Sequence, residues 1–137
     1  MSPRLEIARH RSQCARDAIE EADILMAAHR WRGALNRLYY AAFYAARALL
    51  ATRDLDSARH SGVIALFQQH FVKTGIISAS IARTLPRSFE SRQTSDYADT
   101  AEPNAGDVRA LRTDIEAFVV ACADVVEQVI AREGNHR

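Results

Sequence analysis

The segment from Trp31 to Leu50 constrains this fold more than any other. Trp31, Ala34, Leu35, Leu38, Tyr39, Ala42, Phe43, Ala46, Leu49 and Leu50 recur at intervals of three and four residues. That is the period of an α-helix with one continuous core face. A second stripe lies opposite, where Arg37, Tyr40, Tyr44 and Arg47 follow at spacings of three, four and three. A helix that is apolar on one side and aromatic with arginine on the other is covered on both sides, so it belongs in the middle of a bundle. The second stripe is covered by bundle packing, by another protomer or by an anionic ligand.

The flanking sequence supplies the other helices. Leu5, Ala8, Ser12, Ala15, Ile19, Ala22 and Met26 mark a first helix from about Arg4 to His29. After a loop at 52–59, His60-Ser61-Gly62 opens a third helix carrying Val63, Ile64, Phe67 and Phe71. It ends near Lys73-Thr74-Gly75, where the glycine suits a C-cap. Ile76, Ile77, Ile81, Leu85 and Phe89 suggest a shorter fourth helical segment, interrupted near Pro86. The stretch from Phe89 to Asp107 is the longest break in hydrophobicity. Asn104 is then an N-cap for a last helix, with Val108, Leu111, Ile115, Phe118, Cys122, Val125 and Val129 in three-four rhythm to about Arg132. Only five glycines and three prolines interrupt 137 residues, which favours long helices over a β-rich fold. The expected architecture is all-α: an up-and-down antiparallel bundle of four to five helices, with residues 1–137 as one domain.

With 48% hydrophobic residues, such a bundle fills its core without disulfides or metal. Cys14 and Cys122 fall on apolar stripes and read as small buried hydrophobes. No apolar run is long enough for a transmembrane helix, and MSPRLEIARHR lacks a signal-peptide core; the expected location is the cytoplasm. The net charge of +1 conceals an asymmetry: residues 1–92 hold 14 cations and 8 anions, residues 93–137 hold 4 and 9. A basic body with an acidic last helix suits an anionic partner, self-association or a set of intramolecular surface pairs.

Most catalytic signatures are missing. There is no glycine-rich phosphate loop, nucleophile elbow or zinc pattern, and neither a cofactor nor a metal is expected. Two places remain. At Arg59-His60-Ser61 a helix N-terminus beside an arginine offers N–H groups and positive dipole to an anion, and His60 titrates near neutrality; the alternative is a capping or core-edge histidine. In SRQTSDY, Arg92 and Asp96 stand at i and i+4 on one helical face, and Tyr97 adds a ring able to hydrogen-bond phosphate or stack on a base. The alternative there is a salt-bridged corner that closes the bundle.

Three ordered blocks, ALNRLYYAAFYAARALL (34–50), RHSGVIALFQQHFVKTGII (59–77) and FESRQTSDYAD (89–99), resemble a prokaryotic branch of the HEPN superfamily. The resemblance implies a dimeric helical bundle that acts on nucleotides or RNA, often paired with an MNT-type nucleotidyltransferase in toxin–antitoxin operons. Toxin members cleave RNA without metal through an arginine followed, after four to six residues, by a histidine. Arg92 matches that arginine and Asp96-Tyr97 the pair that often follows it. No histidine stands between Arg92 and His136; positions 97 to 99 hold Tyr, Ala and Asp. The spacing recurs at Arg4…His10 and Arg53…His60, as often as chance predicts.

The reading that results is a nucleotide- or RNA-binding HEPN protein, homodimeric, with an MNT-type partner and no membrane association. Its binding residues are Arg37, Tyr40, Tyr44, Arg47, Arg59, Asp96 and Tyr97. One alternative is a metal-independent endoribonuclease toxin using Arg92 and His60, which requires the fold to bring these two together. The other is an antitoxin-like structural subunit that dimerises through the Arg37–Arg47 stripe.

Overall fold

A computed structural model describes residues 1–97 and 102–134, and all their side chains except those of 94–97. Among the described residues there is no strand. The elements are α1 (Pro3–Ala27), α2 (Trp31–Ala51), α3 (His60–Phe67), the single-turn α4 (Ala79–Ala82), α5 (Thr84–Tyr97) and α6 (Ala105–Gly134). The all-α bundle expected from the sequence is the fold observed.

α2 is the central helix. It packs most extensively against α1, and also against α3, α5 and α6. Tyr39, Leu38, Leu49 and Leu50 are fully buried on it, and the alanines of α1 and α2 make room for the two helices to run closely side by side. Ala8, Ala15, Ala18 and Ala22 lie buried on α1, and Ala34, Ala41, Ala42, Ala45 and Ala48 on α2. Small side chains lower the interaxial distance that helix packing requires. The turn between the two is three residues long and places His29 at φ 59°, a left-handed conformation in which the chain reverses.

α6 lies antiparallel to α1. Arg4 pairs with Glu133 at one end, Arg9 meets Glu127 at 2.6 Å, and Arg112 meets Asp23 at 2.9 Å near the other. The charge asymmetry between body and last helix is thus met in part by intramolecular pairs, each at least partly exposed to solvent and therefore screened. Phe118, Ile115 and Cys122 anchor the helix in the core. Asn104 caps it: Oδ1 accepts from the Asp107 N–H at 3.1 Å. Beyond Cys122 the buried position is Val126, with Val125 half-buried, because 3.6 residues per turn drifts off a strict heptad.

Three local readings change. First, α3 gives way at Gln68–Val72 to a π-helical turn, across which Phe67 and Phe71 both lie in the core, their rings 5.8 Å apart. Gly75 then ends the segment at φ 77°. Second, Pro86 does not interrupt a helix; it sits in the first turn of α5, where its missing N–H would have no intrahelical acceptor. The chain breaks earlier, at Arg83, and α5 carries the polar FESRQTSDY segment as continuous helix. Third, Cys14 is half-exposed rather than buried, with its Sγ 3.5 Å from His10 Nε2.

Candidate functional site

Three elements converge on one fully buried hydroxyl. α2 contributes Tyr39, whose hydroxyl lies 2.7 Å from Nδ1 of His60 at the start of α3. α5 contributes Arg92, whose guanidinium carbon stands 5.1 Å from the centre of the Tyr39 ring and 5.4 Å from that of Tyr40. Both distances are within cation–π range. Phe43 and Phe89 complete the surround, with ring centres 4.6 and 6.1 Å from the imidazole. His60 and Arg92, 32 positions apart in sequence, therefore share Tyr39, and both remain half-buried.

His60 is held there by the loop that precedes it. Asp56 accepts from Arg47 at 2.7 Å and from Arg11 at 3.3 Å, which ties residues 52–59 to α2 and α1. Ser57 Oγ then accepts from the Arg59 N–H at 3.3 Å. Ser57 lies so close over the first turn of α3 that a Cβ on residue 62 would stand 2.8 Å from the Ser57 Cβ and closer still to its Oγ. Gly62 is the residue that permits this approach.

The electrostatics follow from burial and two arginines. Burial, then the positive charges of Arg92 and Arg47, hold the His60 pKa below its ordinary 6.5, so the imidazole is neutral at neutral pH. Burial raises the Tyr39 pKa, so the phenol keeps its proton. The Asp56 carboxyl is held below its usual range, chiefly by the Arg47 hydrogen bond. The corner thus offers a permanent cation and a neutral imidazole.

The other candidate residues divide into two groups. Tyr40 and Tyr44 border the cluster, with rings 6.1 Å apart. Arg37 reaches Glu21 of α1 at 3.0 Å while lying 5.0 Å over Tyr40, and Arg47 lies 5.6 Å over Phe43 while holding Asp56. Both stripe arginines are thus engaged within the chain. Arg59 is exposed just before α3, and its side chain makes no capping bond. The side chains of Asp96 and Tyr97 lie outside the described residues. The two fortuitous spacings do not form sites: Arg53 stacks on Phe71 at 4.6 Å and donates to the His70 carbonyl, and Arg4 donates to the Thr52 carbonyl. Tyr39, Phe43 and Phe89 are the members that sequence periodicity assigns to the core alone. The usable signal was the hydroxyl, since a Tyr on a core face needs a buried hydrogen-bond partner. Among the described residues no three His, Cys, Asp or Glu side chains form a metal-ligand group, and no helix is long and apolar enough to cross a membrane.

Comparison with known proteins covers nearly the whole bundle. The HEPN domain model matches residues 8–129. A protein of Thermotoga maritima named "UPF0332 protein" is 36% identical over 115 residues, covering 84% of this chain and 87% of that one. One from Methanocaldococcus jannaschii, named "Putative toxin", is 30% identical over 118 residues, or 86% and 87% of the two chains. A second from the same organism, with the same designation, is 32% identical over 88 residues, 64% of this chain and 60% of that one.

Proposed function

The chain belongs to the HEPN domain family, and from that premise we propose that it is a toxin-like protein whose Arg92 corner binds RNA through its phosphates. One observation carries this reading: Tyr39 holds a half-buried guanidinium and a neutral imidazole together, at 5.1 Å from its ring and 2.7 Å from its hydroxyl. Arg92 supplies a cation that matches a phosphate in charge and fork geometry. The half-exposed rings of Tyr40 and Tyr44 beside it suit stacking by an unpaired base. Two relatives carry toxin in their names, which supports the toxin-like role. A homodimer and an MNT-type nucleotidyltransferase partner complete the proposal, and co-expression with such a partner tests that part.

The test is binding of a fluorescent single-stranded RNA followed by anisotropy. Arg92→Ala should weaken binding at least tenfold, the order expected when a charged hydrogen bond to phosphate is lost. Equal affinity for wild type and variant would refute the assignment of this corner.

A second reading, metal-independent cleavage of the RNA, is favoured by the same juxtaposition, because it supplies near Arg92 the histidine that the segment after it lacks. It requires product formation in EDTA that both Arg92→Ala and His60→Ala abolish. Binding without turnover would leave the first reading standing and end the second.

A further inference from the structure

We propose that Tyr39 is a positioning residue that fixes the tautomer of His60, so that the imidazole meets a bound anion as a hydrogen-bond donor at Nε2. This rests on the RNA-binding reading for its ligand, though its geometry does not. The Tyr39 hydroxyl makes its only hydrogen bond among the described residues with His60 Nδ1, at 2.7 Å, and Tyr39 is 0% exposed. A phenol O–H buried without an acceptor loses its solvation with no return. The proton of Tyr39 therefore goes to Nδ1, the one acceptor within reach among the described residues, and Nδ1 must carry a lone pair. A neutral imidazole with a lone pair on Nδ1 has its hydrogen on Nε2.

The charged groups around the ring agree with a neutral form. Arg92 faces it from α5 and Arg47 from α2, and both disfavour a second proton. Tyr40 and Phe43 on α2 and Phe89 on α5 supply ring contacts only. In the opposite tautomer Nδ1–H would donate to the phenol oxygen, and the buried phenol proton would have no acceptor among the described residues. The consequence is functional. With Nε2 protonated, His60 joins Arg92 as a second donor for an anion bound at this corner, and the resting imidazole has no free nitrogen with which to abstract a ribose proton. Tyr39 thereby biases the corner towards holding a phosphate rather than activating a nucleophile.

Nuclear magnetic resonance tests the tautomer directly. In long-range proton–nitrogen correlation spectra of uniformly labelled protein above pH 7, His60 should show a pyrrole-type Nε2 and a hydrogen-bonded pyridine-type Nδ1. A pyrrole-type Nδ1 would overturn the proposal. Tyr39→Phe keeps the ring and removes the donor that stabilises the neutral imidazole, so the His60 titration should move up by about one pH unit. An unchanged midpoint in folded Tyr39→Phe, its fold checked by circular dichroism, would overturn it too. His60→Gln places a neutral N–H donor near the Nε2 position; it should bind RNA within about threefold of wild type, whereas His60→Ala should lose about tenfold. Glutamine and alanine variants equally weak would sink the donor role. Tautomer spectra as expected, with no RNA bound by any form, would instead remove the RNA reading and leave the positioning by Tyr39 intact.

Discussion

Gly62→Ala tests how the loop sets His60. The new methyl would lie 2.8 Å from the Ser57 Cβ and nearer to its Oγ, well inside contact distance, so the loop or the first turn of α3 must move. Overpacking of this kind costs typically about 1–3 kcal/mol, while replacing Gly by Ala in a helix returns up to about 1 kcal/mol. The net expectation is a loss of about 1–2 kcal/mol, read as a lower urea midpoint in circular dichroism at unchanged slope. Because Ser57 is the obstacle, the loss should vanish when Ser57 is first replaced by Gly. In that background Gly62→Ala should be neutral or slightly stabilising, a coupling of about 1–2 kcal/mol in a double-mutant cycle. The same single variant should disturb the site, since shifting Ser57 pulls on Asp56 and on the Arg47 pair beside it. The His60 resonances should therefore move in Gly62→Ala and return towards their wild-type positions in the double variant. If the cost of Gly62→Ala is the same with and without Ser57, the close approach is not what Gly62 serves, and the reasoning fails.

Three further perturbations probe the bundle. Phe118→Ala removes a fully buried ring packed 5.5 Å from Phe67 and should cost about 3–5 kcal/mol in urea unfolding; a loss under 1 kcal/mol would mean that α6 is not the wall of the core. Asn104→Ala removes the acceptor of the Asp107 N–H and should cost about 1 kcal/mol, with Asn104→Asp close to wild type. The third concerns pH. His60 titrates below its ordinary 6.5 when folded, so the unfolded chain binds the proton first as pH falls. Stability linked to His60 is therefore complete above 6.5 and is lost as pH drops towards the folded-state value. Melting temperatures of wild type should fall over that window more steeply than those of His60→Gln; parallel curves would contradict the shift.

The long helices were legible because burial imposes a period on sequence. Leu5 through Ala22 on α1 and Val108 through Cys122 on α6 are buried at the positions that the three-four rhythm picks out. The rhythm is less informative wherever the local geometry changes. The π turn at Gln68–Val72 leaves no mark on composition, because Phe67 and Phe71, four apart, share one face of a regular α-helix as well. The polar run after Phe89 reads as a break because its first residues, Glu90, Ser91 and Gln93, are exposed; it is helical as far as Tyr97 because the first turns of α5, with Leu85 and Ser88 buried, dock on the bundle and the rest propagates from that nucleus.

The candidate site was legible in parts and not as a whole, for a geometric reason. Family resemblance directs attention to one helix, where a histidine a turn or more beyond Arg92 would share its face, and that position is empty in this sequence. The fold brings an imidazole to the same arginine from another element, because α2 sets Tyr39 between the α3 N-terminus and α5. No spacing rule along the chain encodes such a meeting; it depends on a loop pinned by Asp56 and on a glycine that lets Ser57 close over α3. The sequence does contain a constraint of another kind. Tyr39 falls on the most buried face of the most buried helix, and a phenol there requires a partner from a different element. His60 sits at a helix start, where its backbone N–H has no intrahelical acceptor and its ring is free to lean across to the neighbouring helix. The buried hydroxyl rather than the Arg-to-His spacing is therefore the feature that predicts where the histidine goes. It also predicts the form in which the histidine arrives: neutral, accepting at Nδ1 and donating at Nε2.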